Sequence, residues 1–586
     1  MKNKYKLAFL SLISVSALSV FGASQVSADD SNIYNYQDFN QTVSNTAEPT
    51  GEGTLRIGYA MDTPFEGTLN WAFYTLGTDS TILNYFDESV FTFDENRQAT
   101  NDGAIEYDMD LDNNTVTFTV KEGVTWHDGE PLTIEDYVYS YEIIGHPEYM
   151  GVRGTSPGFT LIEGYNEYRA GEADEISGIE IIDERTAVFT YTELSPSLTS
   201  GGFWFYAMPK HYYEGIDITD MASAPETRER PIGIGPYMVE SITPGEAVIL
   251  KKYEDYWRGE PQLDGIDLVV TPTSTIANEL ANGNFHMTTG FPTTQYPDVA
   301  DMEGVEWLAS IEPVYDYIGF KYGEWDDENG RVDYKPDEMK MGDKNLRLAM
   351  WYAIDNEAVG ERFYNGLRLP ATTLIPPSHA DYHNADIETP TYDPDEANRI
   401  LDEAGYVDVD GDGFRETPDG EPLEINFASM SGGDVSEPLA NYYIQSWRAV
   451  GLNVGLINGR LIEYNSFYDM LDNDDPNIDI FLAGWSIGTD VDQNALFAAD
   501  APYNYIRYES EEQTELLRLG SSEEALDIDV RIQAYNDWQE LMAEEVVIIP
   551  TLYRTGVYPV STDVVNYSVE YGFNEDYLLY RLGLSE

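Results

Sequence analysis

The 586-residue chain has no cysteine. That excludes disulfides, thiolate nucleophiles and thiolate metal sites, and it removes the residue through which many exported bacterial proteins are lipidated. Histidine is nearly as scarce, with six residues in all, and none is grouped at a spacing that supports a metal centre or a nucleophile and its base. Basic residues number 32 against 106 acidic ones, for a net charge of -74, and a field of that sign repels nucleic acid and anionic lipid. Beyond residues 7–21, no run approaches the roughly 18 apolar residues of a membrane-crossing helix.

The N-terminus reads as a secretory signal: Lys2, Lys4 and Lys6, an apolar stretch over 7–21, then Val26-Ser27-Ala28 as a cleavage site before Asp29. Removal of residues 1–28 takes away three lysines and no acids, which makes the net charge -77. Phe21-Gly22-Ala23-Ser24 lies where a lipid-attachment box would be, with serine in the cysteine's place. The expectation is an exported protein, at the cell surface, extracellular or periplasmic, and not a lipoprotein. The acidity suits solvation in salty or alkaline surroundings or, alternatively, cationic ligands. Residues 29–52 are polar, lack periodicity and read as a disordered tether.

Strand-like segments are predicted at 54–59, 115–120, 180–191, 247–251, 266–270, 423–427, 454–456 and 478–482, and helical patterns at 80–86, 344–353, 394–404, 436–450 and 530–544. Strands interleaved with helices predict an α/β fold, with no internal repeat. Of the short motifs, His127-Asp128 brings a histidine and a carboxylate together. It lies between a period-two strand and the turn Asp128-Gly129, ahead of a helix capped by Thr133 and Asp136. Neighbours on an extended chain point apart, so the pair reads as structural.

Three other matches fail on context. Gly154-Thr155-Ser156-Pro157-Gly158 has Pro157 and Gly158 where a nucleophile elbow needs a helix. His379 and His383 follow Pro376-Pro377 without a metalloprotease glutamate. PIGIGPY at 231–237 lacks the third glycine of a dinucleotide turn.

FTVKEGVTWHDGEPLTIEDYVYS (118–140) resembles the signature of the family 5 extracellular solute-binding proteins of ABC importers, which bind peptides, nickel and other small solutes. Five further blocks follow in the family's order, at 231–268, 345–377, 392–416, 478–490 and 546–560. DTPFEGTLN (62–70), ASMSGGD (428–434) and APYNYIRYESEE (501–512) are similar to the oligopeptide-binding members of Gram-positive bacteria.

The resemblance implies a bilobed α/β, periplasmic-binding-protein-like fold (class II, type C cluster). The chain would cross between the lobes near 311–322 and 547–557. Lobe one would hold 53–310 and 547–586, with a subdomain at about 80–200, and lobe two 311–546. In this family the WHDGE turn is structural.

The implied function is an extracytoplasmic oligopeptide receptor, not an enzyme, that closes over a peptide and delivers it to the importer's membrane subunits. It would be a monomer needing no cofactor. A receptor for nickel or a sugar is the alternative within the fold, and a secreted hydrolase with paired carboxylates the alternative outside it.

Peptide capture needs a carboxylate for the ligand ammonium and a free strand edge for its backbone. The resemblance puts that carboxylate after Gly484-Trp485, at Asp490 first and Asp492 second, with Trp485 and Ser486 presenting the edge. The plain alternative is a solvated loop. Asn504 matches an asparagine of the relatives, and Tyr74, Asp79 and Ser80 follow the first strand, where the fold brings the chain to the cleft.

Asp408, Asp410, Asp412, the Phe414 carbonyl, Glu416 and Asp419 fall at calcium-loop spacing. Pro418 blocks a following helix, which leaves a structural calcium turn or a metal-free acidic hairpin.

Overall fold

The computed structural model describes residues 33–433 and 435–585; the signal expected at 1–28 lies outside them. One eleven-stranded sheet runs through both halves of the molecule. Its strands, in chain order, are β1 (Thr54–Ala60), β2 (Tyr237–Thr243), β3 (Ala247–Lys252), β4 (Gly265–Thr271), β5 (Met287–Thr289), β6 (Val305–Phe320), β7 (Arg368–Pro370), β8 (Glu424–Ala428), β9 (Asn453–Leu456), β10 (Ile480–Ser486) and β11 (Ile548–Ser561). The spatial order is β9-β8-β10-β6-β11-β5-β1-β4-β3-β2, with β7 added to β11.

The two longest strands, β6 and β11, pair antiparallel and belong to both halves. Their first shared segment, Val305–Ile311 with Thr555–Ser561, borders the lobe-one strands. Their second, Tyr315–Gly319 with Ile548–Tyr553, borders β10. The apolar cores divide at the same place. The largest core is built from residues 315–553, a second from 72–234 and a third from both ends of the chain, while a small cluster packs Leu367 against Ala60, Trp307 and Val557. Burial of separate apolar cores on either side of a two-strand ribbon is the arrangement a hinge requires.

Local chemistry explains the element ends. Asp393 accepts from the Asp395 and Glu396 amides, Pro394 opens the helix Pro394–Ala404, and Gly405 closes it at φ +90°. Over 180–191 the expected single strand is a hairpin, Ile179–Ile181 and Thr186–Thr190, because Asp183 accepts from the Arg185 amide and turns the chain. That hairpin joins Ile105–Asp110 and Thr115–Val120 in a four-stranded antiparallel sheet. The apolar cluster that includes this sheet runs from Ala72 to Ile234.

The tether expected at 29–52 is corrected over its described part. Val43 is buried, Asn40 and Thr42 bridge to Leu308 and Ser568, and Ser44 donates twice to Glu306. Polar residues here find partners on the body of the protein, which composition alone does not reveal.

The WHDGE turn is part of this framework. His127 is buried and its Nδ1 accepts from the Gly233 amide, which leaves Nε2 to donate to the Gly235 carbonyl at 3.0 Å. Burial pulls its pKa down to about 4. With both ring nitrogens used by backbone, the histidine is a neutral tie and not a base. Asp136 accepts from the Thr133 amide and hydroxyl, from Trp126 Nε1 and from the Lys210 amide, which fixes the helix start against the neighbouring loop.

Candidate functional site

At the junction of the halves, Ile311 pairs with Thr555 and Tyr315 with Tyr553, so Glu312, Pro313 and Val314 stand opposite Arg554 alone. Extra residues in one strand bend it locally, and proline cannot donate to the ladder, so the pairing of the ribbon is interrupted here.

Cavities flank this point. One of about 490 Å³ lies over β10 and the Ser429–Gly433 loop. A second, of about 300 Å³, shares Thr294, Tyr364, Arg368 and Arg554 with the first. A third, of about 470 Å³, shares Glu312 with the second and is walled by Arg97, Ser378 and Tyr571. Their walls come from both halves, with Thr294, Arg97 and Tyr571 from one and Arg368 and Ser378 from the other.

The strand edge required for a ligand backbone is present. β8 pairs with β10 only at Ile480 and Phe481, so among the described residues the segment Leu482–Ser486 has no strand neighbour on that side. An extended segment with unpaired amides and carbonyls beside a cavity is the usual platform for strand addition. Within it, Gly484 is required. A Cβ there would sit 2.5 Å from Asp316 Oδ1 and 3.1 Å from Arg554 Nη2.

The halves touch through a polar cluster. Arg531 is fully buried on the helix Ile528–Glu544 and donates to Asp490 Oδ1 at 2.6 Å, to Ser200 Oγ at 3.0 Å and to Ser197 Oγ at 3.3 Å. Ser200 also donates to Asp490 at 3.0 Å. Arg97 Nε reaches the Ser378 carbonyl, and Ser195 Oγ the Ser521 carbonyl. His379 is buried beside this cluster; burial and the nearby Arg97 charge lower its pKa to about 3.

Several residues expected at the ligand are placed otherwise. Asp490, expected to receive an ammonium group, receives the Arg531 guanidinium. Asp492 accepts from the Asn494 amide and side chain and from Tyr535, and burial with the Asp490 charge raises its pKa. Asn504 is fully buried and donates to the Phe497, Ala498 and Tyr508 carbonyls, fastening its own loop. Asp79, also fully buried, accepts from the Gly67 and Thr68 amides and so holds the DTPFEGT loop.

Ser80 donates to the Gly77 carbonyl, and Tyr74 lies under the Arg153 guanidinium at 4.1 Å. Trp485 stacks on Tyr505 and donates to Tyr317 at 3.1 Å, while Ser486 ends β10 in an exposed position.

Of the acidic loop, Asp408, Asp410, Asp412 and Glu416 converge, with carboxylate oxygens within 4.8 Å of one another. Asp419 stands outside that group. Reasoning from sequence missed Arg531, Ser197, Ser200, Asp316, Arg368 and Arg554; the one available signal was the rarity of a base within an apolar strand of so acidic a chain.

Comparison with known proteins gives this geometry a context. The family model "Bacterial extracellular solute-binding proteins, family 5 Middle" matches residues 100–505. The oligopeptide-binding protein OppA of Lactococcus lactis subsp. cremoris (strain SK11) is 28% identical over 97% of each chain. Its counterpart in Lactococcus lactis subsp. lactis (strain IL1403) is 30% identical over 80% of each. A solved structure of lactococcal OppA, complexed with an endogenous peptide in the closed conformation, superposes with a TM-score of 0.74 at 28% identity, covering 91% of this chain and all of the other.

Proposed function

The chain belongs to the family 5 bacterial extracellular solute-binding proteins, and from that premise we propose that it is the oligopeptide-binding receptor of an ABC importer, closing its two halves over a peptide and delivering it to the membrane subunits. The observation that carries this is the unpaired edge of β10 over cavities walled by both halves, in a chain that aligns almost end to end with oligopeptide-binding relatives. Main-chain pairing along that edge supplies affinity that is tolerant of side-chain identity. The β6–β11 ribbon supplies the hinge, and the Arg531 cluster joins the halves once they meet.

On this reading the protein is exported by its N-terminal leader, acts as a monomer without a lipid anchor, and returns its ligand chemically unchanged. The four converging carboxylates take a structural calcium ion, because oxygens this crowded repel unless a cation or protons intervene.

Two experiments test the reading together: calorimetry against a mixture of peptides of varied length, and mass spectrometry of what the protein retains. Intact retained peptides are expected. Cleaved ones would favour the hydrolase alternative, and retention of none would defeat the reading.

A further inference from the structure

Resting on the peptide-receptor reading, we propose that Arg368 and Arg554 form a binding site in the cleft for a carboxylate group of the ligand. The two residues stand directly opposite each other on adjacent antiparallel strands, β7 and β11. Like charges in that position destabilise a sheet, and here they occur in a chain with only 32 basic residues. One carboxylate lies between them: Arg368 Nη1 meets Asp316 Oδ2 at 2.6 Å and Arg554 Nη2 meets Asp316 Oδ1 at 2.6 Å. The trio retains one positive charge. Beyond a long 3.5 Å approach of Arg554 Nε to Asp316, the remaining donors of both guanidiniums have no acceptor among the described residues.

Those donors border empty space. Both arginines line the 300 Å³ and the 490 Å³ cavities. Two under-used guanidiniums bordering the same two cavities form a donor set that lacks its acceptor. Tyr364 packs against the Arg368 guanidinium at 4.0 Å, which holds it in place. Glu312 lines the smaller cavity and opposes an incoming anion.

The ligand carboxylate comes either from the peptide C-terminus or from an Asp or Glu side chain. A peptide found retained by the protein would be resynthesised as free acid, as C-terminal amide, and with its acids replaced by their amides, and each form titrated calorimetrically. Removal of the relevant carboxylate is expected to weaken binding about tenfold or more. Arg554→Gln should erase that difference, and Glu312→Gln should tighten only the carboxylate-bearing form.

Sensitivity to amidation assigns the site to the C-terminus, and sensitivity to acid replacement assigns it to a side chain. Equal affinity of all forms for the native protein overturns the proposal and leaves the receptor reading intact. That comparison needs no variant to fold. If no peptide binds, the receptor reading fails and this proposal with it.

Discussion

Removing the Ser200 hydroxyl should loosen the closed state without loosening either half. Arg531 and Asp490 both belong to the half built on residues 315–553 and stay paired whether the cleft is open or shut. Ser200 comes from the other half and meets them only on contact, at 3.0 Å from each. In an open molecule its hydroxyl and the Arg531 Nη1 are hydrated; closing exchanges water for two bonds to charged partners. Hydrogen bonds to charged groups contribute about 1.5–3 kcal/mol each. The one hydroxyl proton of Ser200 bonds the Pro196 carbonyl when it does not bond Asp490, and Arg531 and Asp490 keep each other in the variant. The net loss is therefore about one such bond, and Ser200→Ala should cost the closed state about 1–3 kcal/mol.

Ligand affinity falls with the population of the closed state, so that cost corresponds to a Kd raised roughly 5- to 150-fold, carried by faster release. The melting temperature without peptide should move by no more than about a degree. Calorimetry gives the affinity and small-angle scattering the degree of closure. A Kd within twofold of the native value, with full closure on peptide addition, would refute the reasoning.

Other outcomes follow from buried groups. His127 is held neutral, so the unfolded chain binds more protons than the folded one between its ordinary pKa near 6.5 and its folded value of about 4. Its contribution to stability is therefore complete above about pH 6.5 and falls by about 3 kcal/mol as pH drops to 4. NMR titration of the ring should show a midpoint near 4, and a midpoint above 6 would contradict the assigned tie. Asp79→Ala strands the buried Gly67 and Thr68 amides and should cost about 2–4 kcal/mol in urea unfolding; a loss under 1 kcal/mol would mean that the loop is held by other contacts. Gly484→Ala forces a methyl against Asp316 and should destabilise by about 1–3 kcal/mol, read from the same unfolding curves. Millimolar calcium should raise the melting temperature by a few degrees, and Asp410→Asn should cancel the rise; an unchanged melting curve would return the loop to a metal-free hairpin.

How much of this was legible depended on the distance over which each feature is decided. The helix Pro394–Ala404 was readable because Asp393, Pro394 and Gly405 all act within one turn of its ends. The hairpin at 179–190 was not, because the alternation of apolar residues continues on both sides of a turn made by one aspartate. The likeness to the family suggested crossings near 311–322 and 547–557, yet the residues it suggested for the ligand include Asp79 and Asn504, whose polar groups are spent on nearby backbone. A polar residue tied to a buried loop and one waiting for a ligand look alike in sequence; only the count of satisfied donors separates them.

The same count identifies what sequence hid. Arg368 meets Asp316 across 52 positions and Arg554 meets it across 238, and no local pattern announces either contact. Once the strands are paired, the two arginines face each other with most of their donors unspent, while Arg531 has every terminal nitrogen engaged. An arginine saturated by protein partners holds the halves together, and a pair left unsaturated beside a cavity is placed to hold something else.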